Sequence, residues 1–470
     1  MFSILSDRWK LRVSCLLLMA AVMTPAVSYA RPADLTIFFS SDTRGLLRRC
    51  GCSEGQMGGL SARAAYIKKN WVTGKTLVLD AGDTFFDGLD TQAGLSDFYS
   101  LKGRAILDSM RQAGYTAAAV GEYDLALGTG FLDRLSTTSA FPFLSANIKA
   151  AGSNKNIFSP GLVKSVGGVK VAITAVLDDE FPYSSFNGRF KDIVVTDPAT
   201  AAKMFLGKRG NGVTLNIILA HLSVKDLHKF SKSVPEADII IAGHSQDILE
   251  KPEKVGNTII VKGFYRGKQI GRIDLWLNRD RQGKLKAKKV SNFKYQLIVL
   301  DESLPPDPEV ERIIAGYRDS LKARDYRPVC EEKEGAGSYA GASRCRTCHE
   351  KAYSNWSSTA HARAFATLVK TGDQYDPECL SCHTTGYGFK SGYRCGNEGM
   401  KNVACEDCHG RGSSHAEAMA KGGLDTGAMK REVAEKVCLG CHDNYNSPNF
   451  EYNKYMEMGG AHKGASPDAR

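Results

Sequence analysis

Beyond its first thirty residues, the sequence contains no run of about twenty consecutive apolar residues, the length that a helix needs to span a bilayer. It also lacks the interleaved aromatic and basic residues that are typical of nucleic-acid-binding proteins. These two absences exclude a transmembrane segment in the mature chain and nucleic acid as a partner.

The first thirty residues have the pattern of a secretory signal peptide. Arg8, Lys10 and Arg12 precede the apolar stretch 16–21, and small residues flank Tyr29 near the expected cleavage site. We therefore predict removal of residues 1–30 and a periplasmic or extracellular location.

Cys-x-x-Cys-His occurs four times in the last quarter of the chain. The cysteines are Cys345, Cys348, Cys379, Cys382, Cys405, Cys408, Cys438 and Cys441, and the histidines are His349, His383, His409 and His442. Two thiols three residues apart can each form a thioether with one porphyrin, and the adjacent His can then bind the iron. Zinc sites do not need a His after every second Cys. The repeats predict four c-type haems with these four histidines as proximal ligands.

Three further histidines in this region are candidates for the opposite faces of the haem irons. They are His361, His415 and His462. His415 follows His409 by only six residues, which is a short tether around a porphyrin edge, so we expect it to bind a different haem. Three histidines for four irons predict three bis-His haems and one iron that is five-coordinate or bound by another group.

The charge is unevenly distributed along the chain. The formal charge of the whole chain is +11, whereas residues 331–470 contain 17 Lys and Arg against 18 Asp and Glu. Haem propionates would make the C-terminal part more acidic. This asymmetry favours an oriented encounter with a charged redox protein, although a requirement for solubility explains it equally well.

Earlier in the chain, short apolar runs lead into polar residues. The runs are 35–39, 77–79, 117–120, 217–219 and 239–241, with helical patterns at 60–69 and 101–113. Strands that alternate with helices predict an α/β layered fold. Ligands of such sheets bind outside the carboxyl ends of the strands, which is where these polar residues fall.

These polar residues resemble the blocks of calcineurin-like metallophosphoesterases of the periplasmic 5'-nucleotidase type. The matching blocks are Asp42-Thr43-Arg44-Gly45, Gly58-Gly59-Leu60 with Arg63, Asp80-Ala81-Gly82-Asp83, Gly121-Glu122-Tyr123-Asp124, His221, Gly243-His244-Ser245-Gln246 and 267–274. The resemblance implies a β-sandwich with flanking helices, and two divalent metals (Mn, Zn or Fe) that activate a bridging hydroxide. It assigns Asp83 to the bridging position, and Asp42 and Gln246 to one metal. His221 and His244 would bind the other.

The sequence departs from the family pattern in two blocks. Arg44 replaces the His of Asp-x-His, which removes a ligand and places a cation beside the first metal. The Asn-His-Glu block reads Glu122-Tyr123-Asp124, and Ala126 replaces the Asp that supports its His. Glu122 is still a competent ligand for hard cations, but Tyr123 is a poor acid at neutral pH. We therefore expect a site degenerate for hydrolysis that could hold one or two metals.

The C-terminal region resembles the multihaem cytochromes of the cytochrome c-554 type. The resemblance rests on Tyr339-Ala340-Gly341, Trp356 with His361, Asp376-Pro377-Glu378, Thr384-Thr385-Gly386, Cys405-Glu406 with Gly410, and Ser447-Pro448. It implies a mainly α-helical domain in which the porphyrins supply much of the buried apolar surface. One open haem would also agree with that family.

The predicted organisation is a signal peptide (1–30), a metallophosphoesterase-like domain (31–300), a helical linker (301–337) and a tetrahaem domain (338–470). Four cysteines remain outside the haem motifs in the mature chain, Cys50, Cys52, Cys330 and Cys395. Structural disulfides are the favoured interpretation. Redox or metal-binding roles for Cys50 and Cys52 stay open, as do all three pairings.

The sequence favours an exported electron carrier whose sandwich domain serves docking or positioning. Two alternatives remain. One is a metal-dependent phosphoesterase or nucleotidase-like hydrolase that carries a redox module, and the other is an oxidoreductase that acts on small molecules at an open haem.

Overall fold

The computed structural model describes residues 31–49, 55–92, 94–186, 188–208, 215–244, 249–331, 337–423, 429–443 and 446–457. Its strands are β1 (Leu35–Ser40), β2 (Thr76–Asp80), β3 (Ala117–Ala119), β4 (Phe143–Leu144), β5 (Ile148–Ala150), β6 (Gly161–Val166), β7 (Val169–Leu177), β8 (Ile193–Val195), β9 (Leu215–His221), β10 (Ile239–Ala242), β11 (Glu253–Val255), β12 (Thr258–Lys262), β13 (Gln269–Arg279) and β14 (Leu285–Val299).

Its helices are α1 (Leu60–Lys69), α2 (Ser96–Gln112), α3 (Thr129–Ser139), α4 (Pro198–Lys208), α5 (Val224–Ser233), α6 (Pro308–Arg324), α7 (Ala342–Arg346), α8 (Glu350–Ser357), α9 (Ala364–Thr371), α10 (Pro377–His383), α11 (Cys405–His409), α12 (Ser413–Ala420), α13 (Glu435–Leu439) and α14 (Tyr452–Glu457). Within the described residues, none of these helices combines the length and the apolar character that a bilayer crossing needs. The predicted signal segment lies outside the described residues.

The strands form two six-stranded sheets and one two-stranded ribbon. The first sheet has the order β14-β13-β1-β2-β3-β4, the second has the order β11-β12-β10-β9-β7-β6, and β5 pairs with β8. β1, β2 and β3 are parallel to one another, and so are β7, β9 and β10. Parallel neighbours end at the same edge of a sheet, so the loops that follow them are gathered there.

Alternation of side chains along β1 explains how the layers pack. Ile37 and Phe39 belong to a core shared with strands of the second sheet, where they join Ile217. Phe38 points the other way, into a core built with α1 and α2. On the far side of the second sheet, Ile218 packs with residues of α4 and α5. The four layers confirm the predicted sandwich with flanking helices.

The apolar runs of the sequence correspond to real elements. The five predicted strands are β1, β2, β3, β9 and β10, and the two predicted helices are α1 and α2. The predicted strands do not include β7, which is the longest buried strand of the second sheet. Almost all of its residues are buried. Continuous apolar runs of this kind are hard to assign because strict alternation is absent.

Helix α6 belongs to the helical layer of the sandwich. Asp307 caps it by accepting hydrogen bonds from the backbone N–H groups of Glu309 and Val310. Its buried residues are Val310, Ile314, Tyr317 and Leu321. These side chains share the core of α1 and α2, so the helix predicted within the linker is packed along its length.

The region after α6 consists of short helices with little apolar core. Its described buried cluster contains Leu368, Leu380, Tyr393 and Met400. The sandwich has three much larger clusters. A segment of this size needs additional buried apolar surface to fold. The mainly helical character is confirmed, and the small core agrees with a domain packed around haem.

A disulfide connects the helical region with the segment that follows α6. Cys330 and Cys395 form a disulfide with a Cα–Cα distance of 5.6 Å, within the usual range. This bond confirms the structural interpretation for two of the four cysteines, whereas Cys50 and Cys52 lie outside the described residues. From Asp34 onward the chain forms one compact unit.

Candidate functional site

The residues predicted for the metal site lie close together at the carboxyl ends of the parallel strands. They are Asp42 after β1, Asp83 after β2, Glu122 after β3, His221 at the end of β9, and His244 after β10. All but His244 are buried. The sixth predicted residue, Gln246, lies outside the described residues.

The backbone of this site is strained. Asp42, Arg44, Asp83 and His244 have φ values of 49°, 52°, 54° and 81°, a region that non-glycine residues seldom adopt. Gly121 is required at its position because a Cβ atom there would lie 2.2 Å from the Asp83 side chain. Such outliers concentrate at functional sites, where the surrounding structure holds them.

Arg44 lies where the family pattern has a metal-binding His. Its guanidinium Nη2 is 3.5 Å from Asp42 Oδ1 and 3.4 Å from Asp83 Oδ2. The rings of Tyr123 and Tyr265 lie 4.4 and 5.1 Å from the guanidinium carbon, at cation–π distance. Burial opposes the charge of Arg44, but Asp83 and Asp42 raise its pKa above the ordinary value. The guanidinium therefore offsets part of the negative charge of Asp42 and Asp83.

His221 directs one ring nitrogen into the second half of the site. Its Nδ1 donates to the Ala81 carbonyl at 2.7 Å, which leaves Nε2 facing Glu122 Oε2 at 2.9 Å and Asp83 Oδ2 at 3.5 Å. Burial opposes protonation of His221, but Asp83 and Glu122 raise its pKa well above the ordinary value. Burial, together with the charge of Glu122, raises the pKa of Asp83 to about 6.

Glu122 connects the two histidines. Its Oε1 lies 3.0 Å from Nδ1 of His244. Burial opposes the carboxylate, but the charges and hydrogen bonds of His221 and His244 lower the pKa of Glu122 below its usual range. Asp178 approaches His244 Nε2 at 3.7 Å. Sequence reasoning missed Asp178, which follows β7 directly and could have been found by extending the strand-end rule to that strand.

The donor atoms fit one metal better than two. His221 Nε2 and Asp83 Oδ2 are buried without a hydrogen-bond partner, as is expected of atoms placed to bind a cation. Asp42 also has two such oxygens, but the guanidinium of Arg44 occupies the space beside them. Asp42, Asp83 and His221 also bring ligand atoms within 4.8 Å of one another, but a metal ion there would lie against the Arg44 guanidinium.

The histidines of three haem motifs are oriented by hydrogen bonds from Nδ1. The contacts are His383 to the Ala364 carbonyl at 2.7 Å, His409 to the Lys430 carbonyl at 2.6 Å, and His442 to Ser447 Oγ at 2.9 Å. A bond at Nδ1 fixes the ring and leaves Nε2 for a metal. These contacts fit residues that hold haem iron.

Two pairs of histidine rings lie at centroid separations that match the binding of one iron by both rings. The ring centroids of His349 and His415 are 6.3 Å apart, and those of His361 and His442 are 5.9 Å apart. A metal ion bound at about 2 Å to each nitrogen separates two imidazole centroids by about 6 Å. Burial lowers the pKa of both His361 and His442, which favours the neutral form that binds metal. His462 lies outside the described residues.

A cavity of about 1510 Å³ separates the haem motifs from the sandwich, and it is larger than the roughly 300–1,000 Å³ of an ordinary ligand pocket. Cysteines and histidines of the second, third and fourth motifs line it together with His361. Arg44, Arg48 and Lys102 line it from the side of the sandwich. The space is large enough for bulky groups such as porphyrins.

Comparison with known proteins divides the chain into two parts. Residues 344–410, which include the first three haem motifs, match the family described as cytochrome c554 and c-prime. The 5'-nucleotidase of Bos taurus is 26% identical over 331 residues, which are 65% of this chain and 56% of that protein. The chain joins a 5'-nucleotidase-like segment to a segment that resembles cytochrome c554. Its family match indicates a haem protein.

Solved structures show the fold of the 5'-nucleotidase-like segment. The sulfate thiohydrolase SoxB of Thermus thermophilus aligns with a TM-score of 0.52 and 20% identity, covering 64% of this chain and 63% of that one. The calcineurin-like phosphoesterase YfkN of Bacillus subtilis aligns with a TM-score of 0.51 and 21% identity, covering 61% and 97%. These likenesses identify a metallophosphoesterase-like fold. The chain spans about half the length of the curated relatives it matches.

Proposed function

We propose that the protein is an exported electron carrier. In this proposal, four c-type haems in residues 338–470 relay electrons between redox protein partners. The 5'-nucleotidase-like segment docks or positions those partners and does not hydrolyse phosphoesters. The observation that carries the proposal is the pairing of His349 with His415 and of His361 with His442 at a separation suited to one iron each.

The protein's own residues would hold and orient the haems. Bound haem supplies reversible one-electron oxidation and reduction at its iron. The eight motif cysteines would attach the porphyrins. Nδ1 contacts would keep His383, His409 and His442 in fixed orientations, and fixed axial ligands limit the rearrangement that accompanies each change of charge.

The cysteines that would attach the haems bring the four motifs together in two neighbouring pairs. This arrangement favours electron transfer from haem to haem. Cys345 is within hydrogen-bonding reach of Cys405, and α7 packs against α11. Cys382 is likewise within reach of Cys441. The first and third motifs, and the second and fourth, would therefore bring their porphyrins close together. Short separations between haems favour electron transfer along the chain.

Phosphoester hydrolysis is the alternative that the site opposes. The family chemistry requires two metals around Asp83, whereas Arg44 fills the space beside Asp42. In the family, the His of the Asn-His-Glu block stabilises the leaving group. Tyr123 takes its place here, and burial raises the pKa of Tyr123 further. Manganese-dependent turnover of a generic phosphodiester that Asp83→Ala abolished would favour the hydrolase over the carrier.

An oxidoreductase acting at an open haem is the second candidate. Residues 338–470 contain seven histidines, too few to place two on each of four irons. One iron would therefore have a face free of His, on which a small ligand could bind. A wild-type spectrum in which all four irons were six-coordinate and low-spin would exclude this candidate.

Removing either facing histidine is expected to change one haem. In His415→Ala the haem of the first motif, and in His361→Ala the haem of the fourth motif, should convert from low-spin to high-spin because the iron loses a strong-field imidazole. Electron paramagnetic resonance of the oxidised holoprotein would measure this change. The exposed His228, which pairs with Glu253, provides a control, and His228→Ala should leave the spectrum unchanged. Spectra of both test variants identical to wild type would contradict the assigned pairs.

A further inference from the structure

The site at the strand ends contains a built-in cation at one of its two halves. The Arg44 guanidinium contacts Asp42 and Asp83 at 3.5 and 3.4 Å, and its side chain is only 9% exposed. Two tyrosine rings flank it. A divalent metal in the same place would meet a fixed positive charge at close range. One metal position of the family is therefore already occupied by a side chain.

The other half of the site brings three potential metal ligands close together. His221 uses Nδ1 to donate to the Ala81 carbonyl, so in the neutral ring Nε2 carries a lone pair. Nε2 lies 2.9 Å from a Glu122 oxygen and 3.5 Å from an Asp83 oxygen. Either a proton on Nε2 or a metal ion can bridge Nε2 and the Glu122 oxygen, and the metal ion can recruit His244 as well. The ligand atoms of Glu122, His221 and His244 all lie within 4.8 Å of one another.

Charge balance also favours a single metal. Asp42, Asp83 and Glu122 are 0%, 0% and 1% exposed, so their negative charges need compensation inside the protein. Arg44 and one divalent ion neutralise three carboxylates. Two divalent ions in addition to Arg44 would leave a net positive charge in a buried site.

We propose that the 5'-nucleotidase-like segment binds one divalent first-row transition metal through Glu122, His221 and His244, with Asp83 beside it and Arg44 in place of the second metal. Two imidazoles and one carboxylate form the ligand set that suits mononuclear ferrous iron. The replacement of the family's Asn by Glu122 creates this set. This metal site is an addition to the proposed electron transfer. Electron transfer by the haems does not depend on the metal site.

Equilibrium dialysis of the chelator-treated holoprotein against Mn²⁺ tests the proposal, since Mn²⁺ is distinguished from haem iron by elemental analysis. Wild type should bind one Mn²⁺ per chain. His244→Ala and Glu122→Ala should each weaken binding at least tenfold, since even residues that only support a ligand contribute 10–100-fold. His228→Ala should bind as wild type. An unchanged far-ultraviolet circular dichroism spectrum and an unchanged urea unfolding midpoint would show that the sandwich of each variant is folded.

Arg44→His is expected to increase metal binding, whereas the two variants above decrease it. It removes the built-in cation and restores a ligand, so it should raise the stoichiometry to two Mn²⁺ per chain. Two ions in the wild type, none in the wild type, or one in Arg44→His would each overturn the proposal. These outcomes leave the haem count and haem spectra untouched, so failure here is distinguishable from failure of the proposed electron-transfer function.

Discussion

Without covalently attached haem, helices α7 to α14 are expected to lose their fold while the sandwich keeps its own. Replacing the eight motif cysteines by Ser removes the attachment, and the described buried cluster of this region contains only four apolar residues. So small a core does not offset the conformational entropy of ordering about a hundred residues. Helices α7 to α14 should therefore disappear from the far-ultraviolet circular dichroism spectrum.

Hydrogen exchange would locate the loss along the chain. Slowly exchanging amides should persist in β1, β2, β7, β9 and β10, whose side chains fill the cores between and around the sheets. Amides of α9 and α10 should exchange rapidly. Protection of α9 and α10 equal to that in the holoprotein would contradict a fold that depends on haem.

Asp373→Ala is expected to destabilise the contact between the sandwich and the cytochrome segment by about 2–3 kcal/mol. Asp373 is 3% exposed and forms ion pairs with Arg48 and with Arg318, whose Nε lies 2.9 Å away. Loss of one partner of a buried pair costs about 3–5 kcal/mol. The value should be lower here because both arginines are partly exposed. Urea unfolding followed by haem absorbance would measure it.

Asp319→Ala is the matched control, since Asp319 is an exposed carboxylate on the same helix as Arg318. Its unfolding midpoint should remain within the range of ordinary surface substitutions, about 0.5 kcal/mol. Equal midpoints for Asp373→Ala and Asp319→Ala would show that the ion pairs to Asp373 contribute little to the stability of the holoprotein.

Elements with a strong local signal could be predicted from the sequence. Each apolar run that precedes Asp42, Asp83 or Glu122 forms one buried strand. Parallel strands end at the same edge of a sheet, so these polar residues are expected to meet there. The haem motifs are equally local because their chemistry requires a fixed spacing. Helix α6 was found by its apolar periodicity, although its packing into the sandwich depends on contacts with α1 and α2 that are distant in sequence.

Pairings between distant residues could not be predicted. The ion pairs of Arg44 depend on two strand ends meeting, and a sequence shows only that a cation replaces a ligand. The facing of His349 and His415, and the disulfide between Cys330 and Cys395, each join segments 65 or more residues apart. Asp178 was missed because β7 is a continuous apolar run without alternation.

A reductive titration of the full-length holoprotein tests the central claim most directly. The electrons taken up per chain would be counted by haem absorbance, with haem quantified on the same sample. Four electrons and four haems per chain, delivered reversibly to a redox protein, are the result that an electron relay predicts. Fewer than four haems, or haems that accept electrons but cannot pass them on to any protein acceptor, would contradict it.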